Sequence, residues 1–371
     1  MSTTNRRRNG DGAQLSRMPS ENHNAPRRSL TADDLFRLHL LSDPQLAPDG
    51  RQAIYVSQRT DLEKNQYFSN LWLVDAAGRR ARAFTSGDHH DASPRWSPDG
   101  ARIAFISDRN ETSQLWSIPV DGGEAAALTR LEEGSIGALH WSPRGDRIAF
   151  TYRAKPVETR KAAREEREKG HRSPPPQVIR ALHFREEGAG YVGAEQWQVY
   201  VLDVETGAVR QLTHRRADAG HLAWSPDGAR LAYLTNLCPD PYLTPQFDEI
   251  LVLPVEGGEE RRVEAPAGPK HHLAWSPDGE HLAYCGHTDV ADVWSAADPH
   301  LWVVPLSGGG ASDLTAKLDR PVGDHTLSDL RSFGGGWTGP VWTPDCQSVI
   351  TLVSDRGAVH AYRFFLRGPG E

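Results

Sequence analysis

Two pairs of adjacent histidines are the side chains of this sequence that most resemble a metal site. His89-His90 is flanked by Asp88 and Asp91, and a second pair follows at His271-His272. Imidazole nitrogens and carboxylate oxygens are common ligands of zinc. Neighbouring side chains on a strand point to opposite faces, so the two rings of such a pair do not share one ion. The sequence therefore predicts neither a metal site nor a bound cofactor.

The second kind of site that we searched for in the sequence is the serine nucleophile of an α/β-hydrolase. It requires the spacing G-x-S-x-G in a turn between a strand and a helix. Residues 307–312 lack that spacing and fall in a hairpin turn, and residues 333–337 contain no serine in place. The alternation of strands and helices that a hydrolase sheet needs is absent as well. We predict no catalytic residue, and the chain as it stands is not expected to be an enzyme.

A recurring five-residue phrase indicates how the chain is organised. It reads Trp-Ser-Pro-Asp-Gly or a close variant, and its copies begin at Leu46, Trp96, Trp141, Trp224, Trp275 and Trp342. A motif that returns about every 40–50 residues is typical of propeller blades. Ser, Pro, Asp and Gly suit the successive positions of a type I turn, so each copy predicts a hairpin.

Apolar segments on either side of each copy supply the strands of a blade. Those that follow it, such as residues 103–106 and 231–234, are apolar on both faces, as in strands buried between stacked sheets. A third strand, a Gly-bearing turn and an outer strand complete four antiparallel strands per unit. The Trp before each turn is expected to wedge between neighbouring blades. The sequence predicts an all-β propeller of WD40-like or TolB-like blades, about six in number, the last of them incomplete.

The repeat array also sets the domain boundaries. Residues 1–29 are expected to be a disordered tail, and residues 30–371 to form the propeller. A charged insertion over about residues 154–195 lengthens the third blade. Its charge-dense part, residues 155–172, is interpreted as a solvated helical or disordered loop rather than as a partner-binding arm.

Composition limits the classes of partner and compartment. The chain has 371 residues and a formal net charge of −7, which argues against nucleic acid as a partner. No apolar run approaches the roughly 18 residues of a membrane span, and the N-terminus lacks the apolar core of a secretory signal. The three cysteines have no metal-like spacing and are expected to be free thiols. We predict a cytoplasmic protein without a membrane partner.

Several further segments carry information about the family: LTADDLFRL at 30–38, SDPQLAPDG at 42–50, VIRALHFR at 178–185, LDRPVGD at 318–324, LSDL at 327–330 and VSDRG at 353–357. Together they resemble the N-terminal β-propeller of prolyl oligopeptidase-family serine peptidases, in the acylaminoacyl-peptidase and dipeptidyl-aminopeptidase branch. The resemblance covers residues 30 to about 364. TolB-type propellers share the five-residue repeat, but the inserted segments favour the peptidase branch.

The resemblance implies a propeller that caps a C-terminal α/β-hydrolase domain, filters substrates by size and helps to shape the active site. Arg180, His183, Arg185 and Tyr191 belong to the family-like insertion. They either face the substrate chamber of the intact enzyme or pack as a surface hairpin. Because the hydrolase domain is absent and the sixth unit lacks its outer strand, we expect a truncated chain of a longer peptidase.

Two functions from different classes remain open. The first is a non-catalytic, substrate-gating propeller of an acylaminoacyl-peptidase-like enzyme, whose partners are short peptides and the missing hydrolase domain. The second is a free-standing propeller that serves as a scaffold for protein partners, since fold alone does not decide between them. A TolB-like periplasmic module is disfavoured by the missing signal peptide.

Overall fold

The protein, described by a computed structural model, is a β-propeller. The structure describes residues 28–176, 178–179, 184–186, 190–191, 193, 195–291, 297–326 and 339–366. Six antiparallel blades follow one another in chain order, and the innermost strand of each contacts the innermost strand of the next. The predicted all-β propeller of about six blades is confirmed. Nearly all of the expected disordered tail lies outside the described residues.

The first three blades have four strands each. Blade 1 consists of β1 (Leu40–Leu46), β2 (Gln52–Asp61), β3 (Gln66–Asp75) and β4 (Ala81–Ala83). Blade 2 consists of β5 (Ala92–Trp96), β6 (Arg102–Ser107), β7 (Gln114–Pro119) and β8 (Ala126–Ala127). Blade 3 begins with β9 (Gly134–Trp141) and β10 (Arg147–Ala154), and after a separate hairpin of β11 (Arg185–Glu186) and β12 (Gly190–Tyr191) it continues with β13 (Gln198–Asp203) and β14 (Val209–Gln211).

The fourth and fifth blades repeat this plan, and the sixth has three strands within the described residues. Blade 4 consists of β15 (Ala219–Trp224), β16 (Arg230–Asn236), β17 (Asp248–Pro254) and β18 (Arg261–Val263). Blade 5 consists of β19 (Lys270–Trp275), β20 (His281–Gly286), β21 (His300–Pro305) and β22 (Ser312–Asp313). Blade 6 consists of β23 (Val341–Trp342), β24 (Ser348–Asp355) and β25 (Ala358–Phe365).

The turn between the first two strands of a blade is held by its own side chains. In blade 2, the hydroxyl of Ser97 accepts the backbone N–H of Arg102 at 2.9 Å, and Asp99 accepts the N–H of Ala101 at 3.0 Å. Gly100 has a φ of +70°, which glycine adopts without steric cost. Blades 4 and 5 repeat these bonds. The five-residue phrase is therefore the chemistry of this turn.

The core lies between the faces of neighbouring blades. Ile103, Ala104 and Phe105 of β6 are all fully buried, so this strand packs on both faces as its composition predicts. Mixed clusters of such side chains join blade 1 to blade 2 and blade 4 to blade 5. Burial of apolar surface, worth about 25 cal/mol per Å², is the main force that stacks the blades.

The Trp before each turn links its blade to the preceding one. The indole N–H of Trp224 donates to the carbonyl of His140 in blade 3 at 3.0 Å, and Trp96, Trp141 and Trp342 make equivalent bonds. The wedge role predicted for these residues is therefore confirmed. Trp275 is placed in the same way, but its indole N–H has no hydrogen-bond partner within the described residues.

The charged insertion of blade 3 contains one helix, which ion pairs hold against the propeller. Helix α1 (Lys161–Lys169) has no buried residue. One carboxylate oxygen of Glu133 pairs with Lys155, and the other accepts the backbone N–H of Lys161 at 2.6 Å. The hydrogen bond from Lys155 is the main reason that the pKa of Glu133 is lowered. The helix is solvated, as predicted, and it is also anchored to the rim of the ring.

Two short 3-10 helices complete the secondary structure, Ala32–Arg37 and Val157–Thr159. The first lies before blade 1, and its Asp34 carboxylate accepts the N–H of Thr31 at 2.9 Å. Among the described residues, no helix has the length and apolar character that a membrane crossing requires. All three cysteines are unpaired.

One face of blade 6 is accessible to solvent. Trp342 and Val349 on one side of this sheet pack against blade 5. The other side carries Val341, Ile350 and Phe365, which are 56%, 39% and 49% exposed. Val341 pairs directly with Ile350, whereas Arg363 stands opposite Ile350 on the other side and lies over the ring of Phe365, so the apolar surface is interrupted by one guanidinium.

Trp224 and Trp275 offer a matched test of the indole hydrogen bond. Each is 8% exposed, but only Trp224 donates to the preceding blade. Trp224→Phe should cost about 1–3 kcal/mol more unfolding free energy than Trp275→Phe, because it removes the donor that the His140 carbonyl accepts. Urea denaturation of the two variants measures the difference, and equal losses would contradict the proposed role of the bond.

Candidate functional site

A central cavity of about 1090 Å³ lies inside the ring of blades. Its walls are formed mainly by the innermost strands of the first five blades, β1, β5, β9, β15 and β19. The lining includes the polar side chains Asp43, Ser93, Arg95, His140, His221 and His272. A concave space with a few converging polar groups is the usual form of a ligand site, so this cavity is the candidate functional site.

A β-bulge in the innermost strand places several of these side chains. In β1, β5, β15 and β19 the pairing with the second strand shifts register. One residue of each bulge has a positive φ: Asp43 at 48°, Ser93 at 52°, His221 at 52° and His272 at 56°. Non-glycine residues rarely adopt this region, and a bulge redirects the side chain that occupies it. All four residues line the cavity.

The bulge position can be read from the repeat once the copies are aligned. It stands three residues before the Trp or Leu that opens each turn, and across the six blades it holds Asp43, Ser93, Ala138, His221, His272 and Gly339. Strict alternation hides these positions, because a bulge breaks the period of two. Aligning the six copies of the repeat with one another could have identified this position. The turn residues that follow it keep their types, whereas the residue at the bulge position differs between blades.

Three imidazole rings meet on the cavity wall where blades 4 and 5 join. Ring centroids are 5.7 Å apart for His221 and His271, 5.4 Å for His221 and His272, and 6.4 Å for His271 and His272. The expectation that His271 and His272 point to opposite faces is wrong, because the positive φ of His272 interrupts the alternation. Nδ1 of His221 accepts the backbone N–H of His272 at 3.2 Å, which links the two blades.

The other histidine pair does not line the cavity. Nδ1 of His90 lies 2.6 Å from a carboxylate oxygen of Asp108. Asp91 is fully buried and pairs with Arg109 at 2.6 Å. Since the carboxylates on both sides of the pair are taken up by basic side chains, this group stabilises the region between blades 1 and 2.

Several charged side chains of the cavity form ion pairs or hydrogen bonds with neighbouring residues. Asp43 of blade 1 and Arg95 of blade 2 form an ion pair at 2.8 Å. Lys270 is only 2% exposed, and its ammonium donates to the carbonyls of Asp248 at 2.7 Å and Gly268 at 3.0 Å. Burial lowers the pKa of Lys270 and raises the pKa of the Asp248 carboxyl.

Burial also keeps the cavity imidazoles neutral. It lowers the pKa of His140 to about 4, with a contribution from the charge of Arg95, and the pKa of His221 to about 3. For His272 the same cause lowers the pKa to about 4. A neutral imidazole both donates and accepts a hydrogen bond. The cavity is thus equipped to bind and orient polar uncharged groups, such as peptide amides.

The family-like insertion contributes little to this site among the described residues. Arg180 and His183 lie outside the described residues. Arg185 and Tyr191 pair with each other in the β11–β12 hairpin, and Tyr191 is 56% exposed. For these two residues the structure agrees with the surface-hairpin alternative.

One further group of ligand-type side chains lies in the turn of blade 5. The potential ligand atoms of Asp278, Glu280 and His281 lie within 4.8 Å of one another. However, Asp278 already accepts the hydroxyl of Ser276 at 2.5 Å and the backbone N–H of Glu280 at 2.9 Å. These bonds are those of the repeated turn, so the group is explained by the fold.

The low pKa of His140 predicts a loss of stability in acid. Its folded-state pKa of about 4 lies below the ordinary value of 6.5, so between those values the unfolded chain binds a proton that the folded chain does not. Stability should be full above about pH 6.5 and fall toward about pH 4. His140→Gln should reduce this loss by about 1–3 kcal/mol in urea denaturation at neutral and acid pH.

The parent chain supplies the reference for that measurement, because the difference between the two proteins at each pH isolates the contribution of His140. An unchanged pH dependence in His140→Gln would mean that His140 is not held neutral by its surroundings.

Comparison with curated proteins finds a propeller family, which agrees with the fold, and two peptidases that are similar in sequence to this chain. The PD40 family, the TolB beta propeller domain, matches residues 36–171. An uncharacterized peptidase, YuxL of Bacillus subtilis, is 31% identical over 344 residues, which are 92% of this chain and 51% of that protein. Dipeptidyl-peptidase 5 of Porphyromonas endodontalis is 25% identical over 69% of this chain and 38% of its own length. The chain thus spans about half or less of the relatives it matches.

Solved structures show the same fold at lower identity. An acylaminoacyl peptidase in complex with Z-Gly-Gly-Phe-chloromethyl ketone superposes with a TM-score of 0.65 and 17% identity, over 88% of this chain and 45% of that one. The β-propeller domain of the Trilobed protease from Pyrococcus furiosus gives a TM-score of 0.56 and 16% identity, over 89% of this chain and 82% of that one. The chain is therefore a β-propeller that resembles the propeller part of prolyl oligopeptidase-family peptidases, as its sequence predicted.

Proposed function

We propose that this chain is the non-catalytic, substrate-gating propeller of an acylaminoacyl-peptidase-like serine peptidase. In this proposal an α/β-hydrolase domain supplies the Ser, Asp and His of catalysis, and the propeller controls which peptides reach it. The observation that carries the proposal is the cavity of about 1090 Å³ at the centre of the ring, lined by polar side chains. The peptidase relatives, of which this chain matches about half, support it.

The size of the cavity supports short peptides as substrates. Sites for drug-sized ligands measure about 300–1,000 Å³, so a volume of about 1090 Å³ suits a peptide of a few residues. A folded domain of 100 residues has a radius of gyration of about 13 Å and does not fit. A gate of this size would protect folded proteins from the hydrolase.

The chemistry of the lining supports peptides as well. The amides of a peptide are uncharged and need both donors and acceptors. His140, His221 and His272 are neutral imidazoles, and Ser93 adds a hydroxyl. These groups can exchange hydrogen bonds with a passing peptide without holding it by charge.

A second function, a scaffold for protein partners, is favoured by a different observation. The exposed face of blade 6 carries the apolar side chains Val341, Ile350 and Phe365, with Arg363 among them. Apolar patches of this kind often mark contacts with other proteins. In the gating proposal the same face is the contact for a protein partner or the hydrolase domain. We also propose a cytoplasmic location, supported by the three unpaired cysteines.

Reconstitution with a separate hydrolase domain tests the gating proposal. In this proposal the part of YuxL outside the matched region supplies the hydrolase. Produced on its own, it should cleave both a chromogenic acyl-tripeptide and the same acylated tripeptide attached directly to the N-terminus of a folded protein. Addition of this chain should preserve cleavage of the tripeptide and suppress cleavage of the protein, because only the tripeptide passes the cavity. The chain alone should show no turnover and no labelling by a serine-directed fluorophosphonate.

A blocked cavity supplies the matched comparison. Ala138→Trp fills the wall of the cavity and should slow tripeptide cleavage by the mixture, whereas Glu124→Trp on an exposed outer loop should not. Turnover by the chain alone that serine inhibitors abolish would overturn the proposal. Identical substrate selectivity with and without the chain would favour the scaffold function.

A further inference from the structure

Gln45, Arg95 and His140 stand at the end of the central cavity that lies toward the turns. They line both the central cavity and a second cavity of about 400 Å³ beside the turns of blades 1, 2 and 3. Each is the residue just before the Leu or Trp that opens its turn, so the three occupy one equivalent position in these blades. Their side chains therefore lie where the two cavities meet.

The fold does not require polar side chains at this position. Blades 4 and 5 hold Ala223 and Ala274 there. The carbonyl of Ala274 accepts the indole N–H of Trp342 at 3.1 Å, just as the carbonyl of Arg95 accepts that of Trp141 at 3.1 Å. The bond between blades thus uses the backbone of this residue and leaves its side chain free to differ. The guanidinium of Arg95 at the end of the cavity therefore needs another reason.

We propose that Arg95 binds a carboxylate of the short peptides that enter the cavity. The carboxylate is either the C-terminus of the peptide or an acidic side chain, since both offer the same pair of oxygens. This deepens the proposed function by naming a substrate class, and it rests on that function only in taking short peptides as the ligands. Binding itself is a property of this chain and needs no hydrolase domain.

One edge of the Arg95 guanidinium is available to a ligand. Its Nη1 donates to Oδ2 of Asp43 at 2.8 Å and to the carbonyl of Pro94 at 2.7 Å. Its Nε and Nη2 have no hydrogen-bond partner in the part of the chain that the structure describes. These two nitrogens form the fork that holds both oxygens of a carboxylate through parallel N–H bonds. The side chain is partly exposed and borders both cavities, so a ligand can reach it.

The imidazole of His140 adds a second donor beside the guanidinium. Burial, together with the nearby charge of Arg95, lowers the pKa of His140 to about 4, so the ring is neutral at pH 7. Among the described residues, neither ring nitrogen of His140 has a hydrogen-bond partner. A neutral imidazole carries one N–H, which can donate to a carboxylate held by Arg95.

The carboxylate of Asp43 limits the affinity and also makes the proposal testable. It accepts Nη1 of Arg95 and the side-chain amide of Gln45 at 2.7 Å. Its negative charge repels an incoming carboxylate, whereas the charge of Arg95 attracts it. Arg95 and Asp43 should therefore affect binding in opposite directions, although they form one ion pair. An ion pair with a purely structural role would show the same direction for both residues.

Peptide binding to the full chain alone tests the proposal. Saturation-transfer NMR measures the Kd of three probes: acetyl-trialanine with a free C-terminus, its C-terminal amide, and an acetylated tripeptide amide with glutamate in the middle. A probe with a carboxylate should bind at least about tenfold more tightly than the uncharged amide, and the one that does so identifies the source of the carboxylate. Arg95→Gln should abolish this preference. Asp43→Asn should tighten binding of the acid about threefold.

An arginine on the outer loop of blade 1 provides the matched control. Arg80→Gln removes the same charge from an exposed position and should leave all three Kd values unchanged. Circular dichroism and thermal melts establish that the variants are folded. If Arg95→Gln is unfolded, Arg95→Lys replaces it, and this variant should also lower the preference because it keeps the charge but loses the fork.

Three results would overturn the proposal: equal binding of the three probes, no binding of any probe, or weaker binding of the acid in both Arg95→Gln and Asp43→Asn. Since no hydrolase is present, these results are independent of the reconstitution experiment. A chain that fails to bind carboxylates can still act as a gate, and a chain that binds them can fail to do so.

Discussion

The hydrogen bond from an indole N–H to the carbonyl of the preceding blade is the interaction on which the rest of the structure depends. Its acceptor is always the residue just before the aromatic or Leu of the previous copy: Gln45, Arg95, His140 and Ala274. Blades 2 and 3 therefore each provide both the donor for one joint and the acceptor for the next. This reciprocity fixes how far each innermost strand is displaced from its neighbour, and the stacked apolar faces supply most of the binding energy.

The shape of the cavity follows from those joints. Because the innermost strands are held side by side, the bulges at Asp43, Ser93, His221 and His272 open onto one common space. The residue types that follow each bulge are nearly constant, because they form the turn and the hydrogen bond between blades. The residue in the bulge is free to vary, so the same fold can present different chemistry to the cavity. Blades 4 and 5 depart from the pattern at their joint, where Trp275 lacks the indole bond and His221 accepts a backbone N–H instead.

Much of this fold could be predicted from the sequence, because the five-residue phrase is a local motif with local causes. The turn bonds of Ser97 and Asp99, the buried strand around Phe105 and the interblade Trp all follow from residue type and spacing. The bulges could not be derived from alternation, since a single positive φ at His272 reverses the direction that the pattern assigns to a neighbouring side chain. The anchoring of the charged insertion was also beyond local reasoning, because Lys161 bonds to the carboxylates of Glu133 and Glu111, which lie 28 and 50 residues away in the sequence.

The central claim is that the cavity of the ring admits small molecules and excludes folded proteins. Cysteine labelling measures this directly: Ser93→Cys places a thiol on the cavity wall and Glu124→Cys on an outer loop, with Cys238 and Cys346 replaced by serine and Cys285 left buried. A small maleimide should label both positions at similar rates. A maleimide attached to a folded domain, with a radius of gyration of about 13 Å, should label only the outer position. Equal labelling of both positions by the large reagent would contradict the account.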